Sequence, residues 1–244
     1  MSTTNDAGGV EFRSDMTVEL VKSSASDSDV IWAARVSTKG ESSLADIDAD
    51  PERARGLINY LMRDRHGTPF EHTSLTYFVS APIFVFREFM RHRIASYNEE
   101  SARYRELRPV FYLPAVDRNL IQQGKPGAYE FVPGTQAQHE TAVADITRAC
   151  EVAAQAYQHM LDEGIAREVA RTVLPVGTYS SMYVTMNARA LMNFLSLRTT
   201  RPGTHFPSYP QREIEMVAEL MEELWADLMP ITYAAFNEHG RVSP

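Results

Sequence analysis

The sequence of 244 residues contains one cysteine, Cys150. A lone thiol allows no disulfide within the chain and excludes a zinc site built on several thiolates. Cys150 falls inside a helical pattern with no histidine in its near sequence, so it reads as a small core residue rather than a nucleophile. No apolar stretch approaches the roughly 18 residues that a membrane-spanning helix needs, and no signal-peptide pattern precedes the first element. The expectation is a soluble, cytoplasmic protein with no membrane partner. Basic charge is not in excess, since the net charge is −8 and the pI near 5.4. Duplex nucleic acid wants a basic footprint, so it is not the expected partner. G-x-G-x-x-G, a Walker loop and a G-x-S-x-G elbow are all missing, which leaves a Rossmann or α/β-hydrolase reading without support. There is no internal repeat and no low-complexity tract.

What is present supports a substantial core, because 44% of the residues are hydrophobic. Residues 1–12 read as a flexible N-terminus and 13–244 as one domain. Met16, Val18 and Leu20 alternate as in a short strand. Ser26 to Asp29 offer N-cap oxygens for a helix through Val36, followed by a Gly-Glu-Ser-Ser loop. Pro51 suits the first turn of a helix ending near Gly67, where glycine can take the left-handed conformation. A strand is predicted over 73–80 and a helix from Ile83 to about Arg91. Residues 119–136, rich in Gly, Pro and Gln, read as a long surface loop. Helices follow over 136–163, 165–173 and 187–199, with a strand over 179–185. A last long helix from Tyr209 has its acids, Glu213, Glu219, Glu222 and Glu223, mostly facing water. The fold class is α/β (mixed α+β), with a mixed sheet and long helices.

The most informative stretch is residues 91–104, Arg-His-Arg-Ile-Ala-Ser-Tyr-Asn-Glu-Glu-Ser-Ala-Arg-Tyr. It is too polar to exist for packing, and it follows the apolar run Ile83 to Phe86. Arginine presents a planar fork of donors matched to phosphate, so Arg91, Arg93 and Arg103 make this a phosphate-binding strip. A solvated loop, salt-bridged through Glu99 and Glu100, explains the composition equally well.

Three further groups stand out. His66, Thr68, Glu71 and His72 bring metal ligation to mind, but the histidines are not a helical i, i+4 pair and no third lies close. Glu168 and Arg171 share a helix face and can simply pair. Val169, Ala170, Val173 and Leu174 beside them are apolar, which implies that part of this helix is buried. Asn187 and Arg198 fall on the apolar line of Leu191 and Phe194, and Arg189 and Asn193 on another face. An arginine ending an apolar stripe either snorkels to water or meets an anion in a pocket.

The strip has the form R-H-R-x-x-S-x-N-E-E-S, which closely resembles the signature of the flavin-dependent thymidylate synthases. Ala34-Arg35-Val36-Ser37, Thr68-Pro69-Phe70-Glu71-His72, Ala81-Pro82-Ile83-Phe84-Val85, Arg167-Glu168-Val169-Ala170-Arg171, and Asn187-Ala188-Arg189 through Arg198 look like further blocks of that family, in order. The resemblance implies the family's thymidylate synthase-complementing fold. It also implies an enzyme that makes dTMP from dUMP, with methylenetetrahydrofolate as carbon donor and FAD, reduced by NADPH, as hydride carrier. It implies a homotetramer with active sites shared between subunits, and no nucleic acid partner. The residues implied for FAD are Ser37, Thr68, Glu71, Arg91, His92, Arg93, Glu99, Asn187, Ala188, Arg189 and Asn193. Those implied for dUMP are Glu88, Phe89, Met90, Arg91, Glu99, Glu100, Ser101, Ala102, Arg103, Arg171 and Arg198, with His66 near flavin and folate. Arg198 is the implied catalytic residue, favouring ionisation at uracil N3. Two departures from the family pattern are Glu88, where some members carry Gln, and a longer link over 199–210. The rival readings are a flavin or nucleotide binder without turnover and an RNA-binding module using the Arg/Tyr strip.

Overall fold

The computed structural model describes residues 9–40, 51–126 and 128–244. Residues 1–8 of the expected flexible terminus and 41–43 of the expected Gly-Glu-Ser-Ser loop lie outside these. In chain order the elements are β1 (Glu11–Arg13), β2 (Thr17–Ser24), α1 (Asp27–Lys39), α2 (Pro51–Arg63), a 3-10 turn (Thr68–His72), β3 (Ser74–Pro82), α3 (Ile83–Phe89) and β4 (Ser96–Glu99). Then follow β5 (Val110–Tyr112), β6 (Ile121–Lys125), β7 (Ala128–Val132), α4 (Gln136–Asp162), α5 (Arg167–Ala170), a 3-10 turn (Arg171–Val173), β8 (Tyr179–Met186), α6 (Ala188–Arg198), α7 (Arg212–Leu228) and α8 (Pro230–Glu238). The mixed α/β class is as expected.

The chain forms two compact units interleaved in sequence. Among the described residues, the first unit takes those within 9–16, 80–87 and 99–182, and the second those within 17–40, 51–79, 88–98 and 183–244. Strand order in the four-stranded sheet is β2-β3-β8-β4. β3 shows why it is a strand: Leu75, Tyr77, Val79 and Ala81 are buried at period two. Thr76 and Thr185 share a hydroxyl hydrogen bond of 2.9 Å between β3 and β8.

In the second unit, α1 starts at Ser26, whose hydroxyl accepts from the amide of Asp29. Asp27 reaches the other way, accepting from the amides of Ile231 and Thr232 at the start of α8. α7 packs on β2 and α6, burying Ile214, Val217, Met221 and Trp225. Its expected acidic solvent face is only partly so. Glu223 is exposed, but Glu213 and Glu222 are buried. Glu222 is compensated by Arg241, which lies beyond the helix and so outside any helical pattern.

In the first unit, β1 and β5 pair in parallel, with Phe12 opposite Phe111. Phe12, Phe111, Val10, Cys150 and Ala154 form a small core, with Leu113, Ile146 and Leu174 against it. α4 opens with a capping box between Thr135 and Gln138. The expected long loop over 119–136 is instead a hairpin of β6 and β7, antiparallel from Ile121 opposite Val132 to Lys125 opposite Ala128. Its Gly, Pro and Gln content masked two strands that are largely exposed, so no apolar alternation marks them.

Gly67 also departs from expectation. Arg65 takes the left-handed conformation after α2, with φ 62, while Gly67 has φ −74. Glycine is required there for room. A Cβ on Gly67 would collide with the guanidinium of Arg189 and stand 2.7 Å from the Pro244 carbonyl oxygen.

Candidate active site

The polar strip is divided between the two units, at the boundary between Asn98 and Glu99. Arg91 to Asn98 belong to the second unit, and Glu99 to Tyr104 to the first. Part of the strip is β4 rather than loop. Tyr97 ties the head of the strip back to the end of α3. Its hydroxyl lies 2.9 Å from the Phe89 carbonyl oxygen and 2.7 Å from that of His92, and burial pushes its pKa up to about 12.

In the second unit a cavity of about 290 Å³ is lined by Arg91, His92, Arg93, Ile94, Ala190, Asn193, Leu197 and Arg198. α6 supplies the last four of these. It starts where Asn187 accepts from the amide of Ala190 with its side-chain oxygen at 2.8 Å, so that oxygen is already committed to capping the helix. Ala188 is buried and donates its amide to Thr73 Oγ1. Leu191, Phe194 and Leu195 bury the inner face, and the C-terminal end presents Arg198.

Arg198 is the arginine on the apolar stripe, and it does not snorkel. Its side chain is 16% exposed, with Nη1 2.8 Å from Glu88 Oε2. Its Nε donates to His92 Nε2 at 3.0 Å. Glu88 therefore finds its cationic partner in Arg198. Burial, foremost, and the positive charge of Arg198 hold the His92 imidazole down to about 4. Phe89 is fully buried and stacks on Phe194 at 4.8 Å, while Met90 is half exposed. Among the described residues neither Arg91 nor Arg93 is paired with a carboxylate.

Arg189, on the same helix, takes a different set of partners. Nη1 contacts Glu71 at 2.5 Å and Nε donates to the Pro244 carbonyl oxygen at 2.6 Å. Thr68 and Glu71 lie on the 3-10 turn that packs against α6. His66 is exposed, with its ring 5.4 Å from that of Tyr60. Ser37 donates to the Ala34 carbonyl within α1.

In the first unit the tail of the strip forms its own group. Burial is the largest influence on Glu99 and raises its pKa, with Glu100 adding to the rise, while a Ser180 hydrogen bond and Arg171 pull it down. The Glu100 amide donates to the Ser181 carbonyl oxygen, and its carboxylate lies 3.4 Å from Arg105. Ser101 accepts the amide of Arg103 with Oγ at 3.3 Å, a local turn contact. Ala102 is buried beneath. Glu168 pairs with Arg103 at 3.0 Å, not with Arg171 as its helical spacing suggested. The expected burial around this helix holds for Ala170 and Leu174, whereas Val169 and Val173 are exposed.

Sequence reasoning missed Ile94, Ala190 and Leu197 as cavity lining. It also missed a second cavity of about 640 Å³ sharing Asn193, Leu197 and Arg198 with the first and lined beyond them by Phe206, Ser208, Tyr209 and Arg241. Apolar positions on a helix of this kind carry no chemical signal. Only the longer 199–210 link pointed toward the second cavity.

The model of the family described as "Thymidylate synthase complementing protein" matches residues 19–231. The chain is 67% identical over 234 residues to a flavin-dependent thymidylate synthase of Streptomyces avermitilis, covering 96% of this chain and 95% of that one. A flavin-dependent thymidylate synthase of Tropheryma whipplei is 58% identical over 233 residues, covering 96% of this chain and 97% of that one. Among solved structures, the UMP/dUMP methylase PolB from Streptomyces cacaoi bound with 5-Br dUMP superposes with a TM-score of 0.91 at 61% identity, covering 96% of this chain and all of that one. The same enzyme bound with 5-Br UMP gives 0.89 at 59% identity, covering 97% of this chain and all of that one.

Proposed function

The chain belongs to the thymidylate synthase complementing family, and from that premise we propose that it converts dUMP to dTMP by flavin-dependent reductive methylation. The observation that carries the reading is the cavity that gathers Arg91, His92, Arg93, Asn193 and Arg198 from two family blocks far apart in sequence. Residues 10–244 serve as one functional domain, since Val10 and Phe12 of the expected flexible terminus lie in the small core.

The donor set suits FAD. Arg91 and Arg93 offer guanidinium groups without carboxylate partners among the described residues, the chemistry that receives a pyrophosphate. His92, Asn187, Ala188, Arg189 and Asn193 complete the assignment, with Ser37, Thr68, Glu71 and Glu99. Reduced by NADPH, FAD supplies the hydride, and methylenetetrahydrofolate supplies the carbon. The residues assigned to dUMP are Glu88, Phe89, Met90, Arg91, Glu99 to Arg103, Arg171 and Arg198, with His66 close to flavin and folate.

Arg198 does the electrostatic work. A fixed cation in a largely dry site lowers the cost of negative charge on the uracil ring as N3 loses its proton. Ser101 binds, and no nucleophile is needed; Cys150 is buried with its thiol pKa raised, chiefly by that burial.

The active protein is a cytoplasmic homotetramer that assembles each site among subunits. Ile165, Val169, Val173 and Val176 support an interface between subunits, because they leave apolar surface exposed on one stretch of the single chain.

One preparation tests the reading. The purified protein is expected to be yellow with a flavin absorbance band, and to form dTMP from dUMP with methylenetetrahydrofolate and NADPH. A colourless protein that binds RNA overturns it, as does a yellow protein without turnover.

A further inference from the structure

Arginine carries five N–H donors on three nitrogens, and each nitrogen of Arg198 has a neighbour. Nε donates to His92 Nε2 at 3.0 Å. Nη1 lies 2.8 Å from the Glu88 carboxylate, and Nη2 reaches the Glu88 main-chain oxygen at 3.4 Å. Nε has a single hydrogen, so His92 takes all of it. Each Nη nitrogen keeps a second hydrogen for a ligand.

The Nε contact dictates the state of the histidine. Arginine keeps its proton at any ordinary pH, so His92 Nε2 has to offer a lone pair. The ring hydrogen then sits on Nδ1. The surroundings hold that neutral ring in place. Its edge packs on Phe194, with centroids 4.9 Å apart, and the Tyr97 hydroxyl grips its carbonyl oxygen. The charged groups around it are Arg198 from α6, Glu88 from α3 reached through Arg198, and Arg91 and Arg93 on the same cavity wall. Burial first, and then the charge of Arg198, make an imidazolium unwelcome and hold its pKa down to about 4.

We propose that His92 is a positioning residue for Arg198: as a neutral imidazole protonated on Nδ1, it fixes the guanidinium so that the free Nη hydrogens face the uracil. Glu88 alone holds the two Nη nitrogens, one of them only through the long 3.4 Å contact to its main-chain oxygen, and leaves the Nε edge unsupported. The acceptor on Nε supplies that support. The proposal rests on the dUMP methylation reading for what Arg198 does, and on the hydrogen bond alone for how it is held.

The test uses the holoenzyme and four variants: His92→Leu, His92→Gln, Arg198→Ala and the double variant His92→Leu/Arg198→Ala. His92→Leu should lower kcat per bound flavin about 10–100-fold, the range for losing a partner that orients a functional group, beyond any flavin it loses as an FAD contact and with KM for dUMP little changed. His92→Gln returns an acceptor oxygen and should recover most of that loss. In the Arg198→Ala background, His92→Leu should cost nothing further, since both act as one unit. Equal losses in His92→Gln and His92→Leu, additive losses in the double variant, or activity falling only in step with flavin content would overturn the proposal.

Nitrogen-15 NMR of the histidines gives a readout that needs no turnover. Near neutral pH His92 should carry its hydrogen on Nδ1, and Arg198→Ala should raise its pKa toward the ordinary histidine value. A hydrogen on Nε2, or a pKa indifferent to Arg198→Ala, refutes the contact. If the wild-type protein makes no dTMP while these signals appear as expected, it is the functional reading that fails and not the hydrogen bond.

Discussion

Arg241 and Glu222 form an ion pair of 2.6 Å with both side chains almost fully buried. Arg241 donates through Nη2 to Thr199 Oγ1 at 2.9 Å, and Arg201 stands 3.2 Å from the second Glu222 oxygen as an ion pair. Thr199 directly follows Arg198, so the C-terminal segment anchors the end of the helix that carries the proposed catalytic arginine. Removing one member of a buried pair strands the other, which typically costs ~3–5 kcal/mol. Arg241→Ala is expected to lower unfolding free energy by that amount in a urea titration. A loss below about 1 kcal/mol, the size for an exposed pair, would mean that the site admits water freely.

Arg198→Ala should retain the flavin absorbance band and lose kcat by roughly 10²–10³-fold, the range for deleting one preorganised electrostatic donor. Arg198→Lys is expected to recover little, because an ammonium has no separate Nε to engage His92. Steady-state kinetics with dUMP as the varied substrate checks both. Full activity in the alanine variant would remove Arg198 from the chemistry.

Gly67→Ala places a methyl group against Arg189 and the Pro244 carbonyl oxygen. Overpacking of this kind costs about 1–3 kcal/mol. The displaced guanidinium should also weaken FAD retention, measured as the ratio of flavin to protein after gel filtration. An unchanged ratio would separate Arg189 from cofactor binding.

Tyr77 is fully buried, and its hydroxyl has no hydrogen-bond partner among the described residues. The same burial pushes its pKa upward. Removing an unsatisfied buried hydroxyl relieves its desolvation penalty, about 1–3 kcal/mol. Tyr77→Phe should therefore raise Tm in a thermal scan, and a lower Tm would contradict the assignment.

Cys150 sits in the small core with Phe12 and Phe111. Cys150→Ala should keep dTMP synthesis within about twofold while costing on the order of 1 kcal/mol of burial. Loss of turnover in a folded variant with normal flavin content would bring back a cysteine mechanism.

The opening of α1 at Ser26, the first turn of α2 at Pro51, the strand β3 from its β-branched and aromatic content, and the span of α4 were all legible, because caps, propensity and periodicity act over a few neighbouring residues. So were the polar strip and the odd placement of Arg198. The β6–β7 hairpin was not legible, since strands that bury little leave no alternating pattern. Neither was the burial of Glu222, whose partner Arg241 lies outside its own helix. Gly67 looked like a left-handed cap; its real constraint is a guanidinium from α6 pressing on its Cα.

By itself the sequence determined the mixed α/β class, the family and the residue types available for anion binding, because local physics and an unbroken polar motif survive without coordinates. Only the tertiary structure decided which of those groups hold one another. Spacing offers Glu88 only Arg87 or Arg91 as a partner, and a histidine beside two arginines has no fixed tautomer. Folding α6 against the end of α3 chose Arg198 for both Glu88 and His92, because a buried guanidinium must satisfy each nitrogen with whatever acceptors the packing brings within reach.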